Sequence, residues 1–236
     1  MKRILFLIAF AAITISTDAR QKGLTDEQVK STMKKATEFM VEKVSNNGGY
    51  LWNYAPDFSR QWGELECKPS MMWIEGGTPM MGNVFLDAYH ATGDPYYFKA
   101  AEAAANAIIW AQLDCGGWNY MADFAGEASL RDWYERVAKG YTYPAQEHMH
   151  YYGNATYDDG TIDAAGFLLR MYMENFDPKY RTAIDKAIDF MIESQYPVGG
   201  WPQRYPLKYD FVKNGKSSGM SITVRNIRIV YFCDDF

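Results

Sequence analysis

The chain has 236 residues, 48% of them apolar and 22% charged, with a formal net charge of −5. That length and composition suit a single well-packed domain. The negative balance excludes a nucleic-acid binder that works by broad neutralisation of phosphates; an anionic ligand would need a local basic pocket or a bound cation.

The chain begins Met1-Lys2-Arg3, runs through the apolar stretch ILFLIAFAAITI and reaches Ser16-Thr17-Asp18-Ala19. This pattern predicts a secretory signal over residues 1–19, cut after Ala19, and a secreted or periplasmic domain over residues 20–236. The run is too short for a good membrane span, and no later stretch has that character, so no membrane association is expected after cleavage. Cys67, Cys115 and Cys233 match no zinc spacing. Cys67 and Cys115 are read either as a disulfide pair or as small buried thiols.

The next elements read as helices. Glu27 to Val44 forms a weak first unit that ends at Gly48-Gly49-Tyr50. Glu64, Glu66 and Lys68 follow, then Met71 to Pro79 with Glu75; these charges are read either as a cleft rim or as solvent-facing groups. Helices are then predicted over roughly Gly82–Ala91, Tyr97–Gln112, Thr161–Glu174 and Tyr180–Gln195, because apolar residues recur at spacings of three and four. The helices come as an internal repeat with an offset of 83 residues. Leu86, Tyr89, Asp94-Pro95, Ala100, Ala104, Gln112 and Gly116-Gly117-Trp118 answer to Leu169, Tyr172, Asp177-Pro178, Ala183, Ala187, Gln195 and Gly199-Gly200-Trp201. The aspartates are placed to cap helix N-termini, the prolines to start the first turn, and the glycine pairs to end the helices. Each hairpin needs neighbours to bury its apolar stripe. The fold class expected is therefore all-α, with repeated helical hairpins forming a closed or partly closed α/α toroid.

Tyr50, Trp52, Trp118 and Trp201 would then recur at one end of that toroid, read either as packing or as stacking surfaces for sugar rings. The stretch from Asp123 to Asp159 is read as the longest helix-poor region. It carries His148, His150, Tyr151, Tyr152, Asn154, Thr156, Asp158 and Asp159, a polar and aromatic mixture suited to a binding face. Asp158 and Asp159 are read either as a helix cap or as oxygen ligands of a hard cation such as calcium. The two histidines lack a third zinc ligand, and neither Ser nor Cys stands at a recognisable nucleophile elbow.

The run Tyr157-Asp158-Asp159, continued by Tyr196-Pro197-Val198-Gly199-Gly200-Trp201-Pro202-Gln203-Arg204-Tyr205-Pro206-Leu207, resembles the family 10 pectate lyases, the pectic acid lyases of α/α toroid fold. The resemblance is clearest from Asn154 to Leu207 and looser before it. It implies calcium-dependent β-elimination of polygalacturonate, an acidic plant polysaccharide, with an arginine as base. It marks Asp158 as a calcium or substrate-contact position, with Asp159 and Asp234 beside it in the metal set. Arg204 is a candidate contact inside the signature; Arg225 and Arg228 are candidates for the arginine the family carries in later helices. Tyr50, Trp52, Glu64, Trp118, Tyr152, Trp201 and Arg204 form the expected substrate-binding set. Phe232-Cys233-Asp234-Asp235 stands where the family has an ITFNDDA-type segment, with Cys233 at the position of an asparagine. The resemblance thus leads to the expectation of an incomplete toroid whose open end favours self-association. Two other readings stand beside the lyase: a non-catalytic binder of acidic polysaccharide, and a toroid glycoside hydrolase using Glu75 and Asp159 as its carboxylate pair.

Overall fold

A computed structural model describes residues 23, 25–140, 153–157, 159–196, 199–202 and 204–205. Helices dominate. The first, α1 (Asp26–Phe39), opens on a capping box between Thr25 and Gln28 and runs into a π-helical turn at Met40–Val44. Three two-residue strands follow, β1 (Asn53–Tyr54), β2 (Gln61–Trp62) and β3 (Glu66–Cys67), paired antiparallel in that order. Strand β4 (Met71–Trp73) leads into the hairpin of α2 (Thr78–Thr92) and α3 (Pro95–Trp110). Next come β5 (Met121–Asp123), α4 (Glu127–Gly140) and β6 (Ala155–Thr156). The second hairpin, α5 (Asp159–Asn175) and α6 (Pro178–Glu193), and the strand β7 (Arg204–Tyr205) complete the described elements.

The all-α class and the repeated hairpins of the toroid expectation hold. The two hairpins keep the offset of 83 residues, with α3 starting at Pro95 and α6 at Pro178. The caps behave as expected: Asp94 accepts the N–H of Tyr96 and Asp177 that of Lys179, each at 2.9 Å. Helix α2 packs on α3 and α5 on α6, while α5 also lies against α2 and α3. Their shared core joins Leu86, Ala101, Ala104, Ile108, Phe167, Leu168, Met171 and Ala187. Arg170 on α5 grips α2 through Asn83 at 2.7 Å and Asp87 at 2.5 Å. Lys179 of α6 reaches Glu102 of α3 at 2.9 Å.

Two expectations are corrected. The region after Asp123 contains the helix α4, whose Leu130, Trp133, Tyr134 and Val137 stand at the i, i+3, i+4, i+7 spacing of one face. That face closes a second core with Leu51, Met71, Trp73, Tyr120 and Met121. Nor do the glycine pairs end the helices. Helix α3 stops at Trp110, and Gly116, at φ +95°, lies in a separate turn beyond it. Its backbone meets α6 so closely that an added Cβ would sit 2.2 Å from the carbonyl oxygen of Lys186. Gly48 makes the same contact, also at 2.2 Å, with the carbonyl of Ala103 on α3. These glycines are seats for the second helix of a following hairpin rather than stops for the previous helix.

The true left-handed stop of α2 is Gly93, whose N–H reaches the Tyr89 carbonyl at 2.7 Å. Its counterpart after α5 is Phe176, held at φ +54° with its N–H on the Tyr172 carbonyl at 2.7 Å. A left-handed conformation costs an L-residue about 1–2 kcal/mol, and glycine returns part of that gain as unfolded-chain entropy. Phe176 is 67% exposed and gives up little burial. Phe176→Gly is therefore expected to stabilise the fold by about 0.5–1 kcal/mol, read as a higher denaturant midpoint at unchanged slope; a lower midpoint would show that its edge contact with Tyr172 outweighs the strain.

Cys67 and Cys115 are free thiols, which settles the cysteine alternatives in favour of buried or partly buried thiols. Burial pushes the Cys67 thiol up to about 12. Among the described residues no helix is long and apolar enough to cross a membrane.

Candidate functional site

The loops at one end of the hairpins repeat as faithfully as the helices. Strand β4 pairs with β5 through Met72–Ala122 and Trp73–Met121, and β6 pairs with β7 through Ala155–Tyr205 and Thr156–Arg204. Every one of these residues finds its partner 83 positions on. The aromatic after each glycine pair is pinned in the same way. Tyr50 donates its N–H to Thr78 Oγ1 at 3.0 Å, and Trp118 donates to Thr161 Oγ1 at 3.1 Å. The indole N–H of Trp118 closes on the Ile108 carbonyl and that of Trp201 on the Met191 carbonyl, both at 2.7 Å. These bonds satisfy carbonyls in the last turns of α3 and α6.

The consequence differs between the aromatics. Tyr50 and Trp118 are 2% and 0% exposed and belong to the core, which corrects their assignment to a substrate-binding surface. Burial leaves both without a face for a sugar, and the indole N–H of Trp118 is turned inward as well. Burial also raises the Tyr50 hydroxyl to about 12. Trp201 is only half-buried and stacks on Tyr157, with ring centroids 4.9 Å apart and an interplanar angle of 13°. Trp52 is 39% exposed, rests edge-on against Trp73 and donates its indole N–H to the Glu75 carbonyl at 2.6 Å. Glu64 is exposed in the turn between β2 and β3.

Arg204 lies on β7 and is 8% exposed. Its guanidinium sits 4.6 Å from the centre of the Tyr120 ring, a cation–π contact. Behind it, Asn119 donates to the Tyr134 hydroxyl at 3.0 Å, and the same hydroxyl lies 3.0 Å from Met121 Sδ. Burial raises the Tyr134 phenol, with Asn119 and then the positive Arg204 acting against it. A fixed positive charge thus stands beside the β6–β7 ladder, and the Tyr157–Trp201 stack continues that ladder.

The start of α5 connects this stack to Trp52. Asp163, in the first turns of α5, accepts the N–H of Gly76 at 3.2 Å, next to the Glu75 carbonyl that holds Trp52. The β6–α5 junction therefore lies between two half-open aromatic groups, with Arg204 on one flank. Asp163 was not singled out by sequence reasoning, because its partner Gly76 lies 87 residues away and no local pattern marks the contact. Asp159 is the first residue of α5, and Asp158 falls between Tyr157 and that helix in the chain. Asp158, Asp234, Tyr152, Arg225 and Arg228, with the side chain of Asp159, lie outside the described residues, as do His148 and His150. Adjacent carboxylates at a strand–helix junction suit a hard cation in donor type. Among the described residues alone, no three His, Cys, Asp or Glu side chains converge as metal donors.

The family described as pectic acid lyase matches residues 123–216. That segment holds α4, both strands of the β6–β7 ladder, the second hairpin and the Trp201 turn. Two solved structures of a family 10 polysaccharide lyase from Cellvibrio cellulosa are similar at 17% identity. One, a point mutant in complex with trigalacturonic acid, is covered over 74% of this chain and 52% of its own, with a TM-score of 0.48. The other is covered over 77% and 54%, with a TM-score of 0.49. A D-mannose isomerase is similar at 13% identity over 79% of this chain and 60% of its own, with a TM-score of 0.36. The chain spans about half the length of the two lyase structures. No curated protein sequence matches it.

Proposed function

We propose that this chain, whose residues 123–216 carry the pectic acid lyase pattern, binds polygalacturonate at the β6–α5 junction and takes part in its cleavage by β-elimination. The observation that carries the reading is the fall of that match on the part of the fold where the Tyr157–Trp201 stack, Arg204 and the start of α5 meet.

In such an elimination a base removes the C5 proton of a uronate, a C4=C5 double bond forms and the O4–C4 bond breaks. Trp201 and Tyr157 offer an apolar surface for the face of a sugar ring. Trp52 offers a second one across the junction. Arg204 supplies a guanidinium that pairs with a uronate carboxylate, its orientation held by Tyr120. Asp158 and Asp159 would hold a calcium ion, with Asp234 as a further oxygen donor; when bound, that ion neutralises the C6 carboxylate and stabilises developing negative charge. Arg225 and Arg228 are the candidates for the base, with Arg204 as the substrate contact. The reading carries with it a location outside the cytoplasm, where the polymer is met.

The test is ultraviolet absorbance during incubation with polygalacturonate, with calcium and again with chelator. Calcium-dependent growth of the unsaturated product is expected. Arg204→Lys, which keeps the charge and loses the planar fork, is expected to lower the rate about 100-fold with an unchanged melting curve. Binding of trigalacturonate without any unsaturated product would replace the lyase with a non-catalytic binder. A saturated product would point to hydrolysis instead.

A further inference from the structure

A cleft of about 360 Å³ is lined by Asn47, Asn106, Ala107, Trp110 and Phe124, none of them a residue of the β6–α5 junction. Its size falls in the range of small-molecule sites. Trp110, at the end of α3, is 53% exposed and stacks on Phe124 with centroids 4.6 Å apart and an interplanar angle of 25°. Phe124 is set in place by Gly49, where an added Cβ would meet its ring at 2.9 Å. Asn47 spends one amide donor on Asn46 at 2.9 Å, leaving its carbonyl for other partners. Asn106 is exposed on α3, and no hydrogen bond of its amide is found among the described residues. The lining holds two aromatic rings and two primary amides, with no charged side chain.

The repeat shows that the scaffold does not require these side chains on the helix. Asn106, Ala107 and Trp110 correspond to Asp189, Phe190 and Glu193 on α6. Phe190 is 1% exposed and packs edge-on against Tyr205, where unit one carries the smaller, equally buried Ala107. Glu193 is an ordinary exposed carboxylate where unit one exposes an indole. The same helix end in the second unit thus folds without the tryptophan.

We infer that this cleft is a second carbohydrate subsite, taking an uncharged pyranose ring of a neutral oligosaccharide. The indole–phenyl surface packs against the C–H face of the ring. The Asn47 and Asn106 amides supply both donors and acceptors for hydroxyl groups. A uronate is disfavoured, because its carboxylate would lose water without gaining a cation.

The test uses the full chain and titrates galactotetraose, cellotetraose and xylotetraose against it, followed by tryptophan fluorescence and calorimetry, with trigalacturonate as the acidic comparison. At least one neutral tetrasaccharide is expected to bind. Trp110→Glu, which installs the residue of the second unit, is expected to weaken that binding at least about tenfold while the melting curve is kept. Asn106→Ala provides a second, milder variant with an expected loss of about threefold. The inference is overturned if no neutral tetrasaccharide binds the folded protein. It is equally overturned if affinity is unchanged in Trp110→Glu, if trigalacturonate displaces the neutral sugar, or if the signal follows protein concentration because a second copy covers the cleft. None of these readouts depends on cleavage of polygalacturonate, so failure here is separable from failure of the lyase reading.

Discussion

Gly116→Ala is expected to cost about 3–5 kcal/mol, enough to lower the melting temperature by roughly 10 °C. Part of the cost is conformational, about 1–2 kcal/mol for forcing an L-residue to a positive φ. The larger part is the approach to α6, where the new Cβ would stand 2.2 Å from the Lys186 carbonyl oxygen and one backbone must move. Moving it breaks the bridge in which Gln112 Nε2 donates to both the Gly116 and the Ala183 carbonyls at 2.8 Å. Gly199→Ala is the matched control. Gly199 has the same backbone conformation, φ +94°, but nothing lies within 4 Å of its added Cβ among the described residues. Its expected cost is the conformational part alone, about 1–2 kcal/mol. Parallel thermal melts decide the matter, and equal losses in the two variants would assign the whole effect to φ and none to the contact.

Lys68→Met is expected to destabilise the fold by about 3–5 kcal/mol at pH 7, because it strands a buried carboxylate. Asp123 has an inaccessible side chain at the end of β5, 2.9 Å from Lys68 Nζ. Lys68 also donates to the Ser129 carbonyl at 2.5 Å and to its hydroxyl, which ties β5 to α4. Burial pushes the Asp123 carboxyl up, but the Lys68 ammonium, with Ser70 and Ser129, more than offsets it and leaves the group below its ordinary value. A depressed carboxyl contributes stability above its unfolded value, about 3.9, and loses it as pH falls through the folded value. In Lys68→Met the largest lowering influence is gone, and burial, the largest of all, is opposed only by the bonds from Ser70, Ala125 and Ser129. Asp123 then takes up a proton more readily in the folded variant than in the folded parent, so the deficit relative to the parent shrinks as pH falls from 7 towards 5. Urea titrations at both pH values measure the gap, and a gap of constant size would show that Lys68 acts through packing rather than charge.

The helical hairpins were legible because their information is periodic and doubled. Asp94-Pro95 and Asp177-Pro178 announce the same start twice, and the alanine stripe of α3 is echoed in α6. The small sheets were not legible. Strands of two or three residues carry too few alternations to separate from loop, and their pairing joins Ala155 to Tyr205 across a whole hairpin. Helix α4 left a readable signal in Leu130, Trp133, Tyr134 and Val137, masked by the density of polar residues after it. For the site, the Gly-Gly-aromatic turns were correctly seen as one recurring device, but their sequence likeness hides opposite burial. Trp118 and Trp201 make the same indole bond; Trp118 is covered by the second hairpin, whereas Trp201 keeps an open side on Tyr157. Exposure is decided by the neighbour in space, which a local motif does not name.

The seats at Gly48 and Gly116 read chiefly the main chain of the helix that fills them, with the Phe190 Cβ, 3.2 Å from an added Cβ at Gly116, as the one side-chain atom among the nearest neighbours. Ala103 and Lys186 occupy the two seats through the same carbonyl oxygen, although their side chains share neither size nor charge. A joint that recognises backbone places no demand on the composition of its guest, only on its axial position. Successive units of such a protein are free to exchange side chains for local chemistry, an indole in one and a carboxylate in the next, while the spacing between their helices is kept chiefly by glycine and peptide.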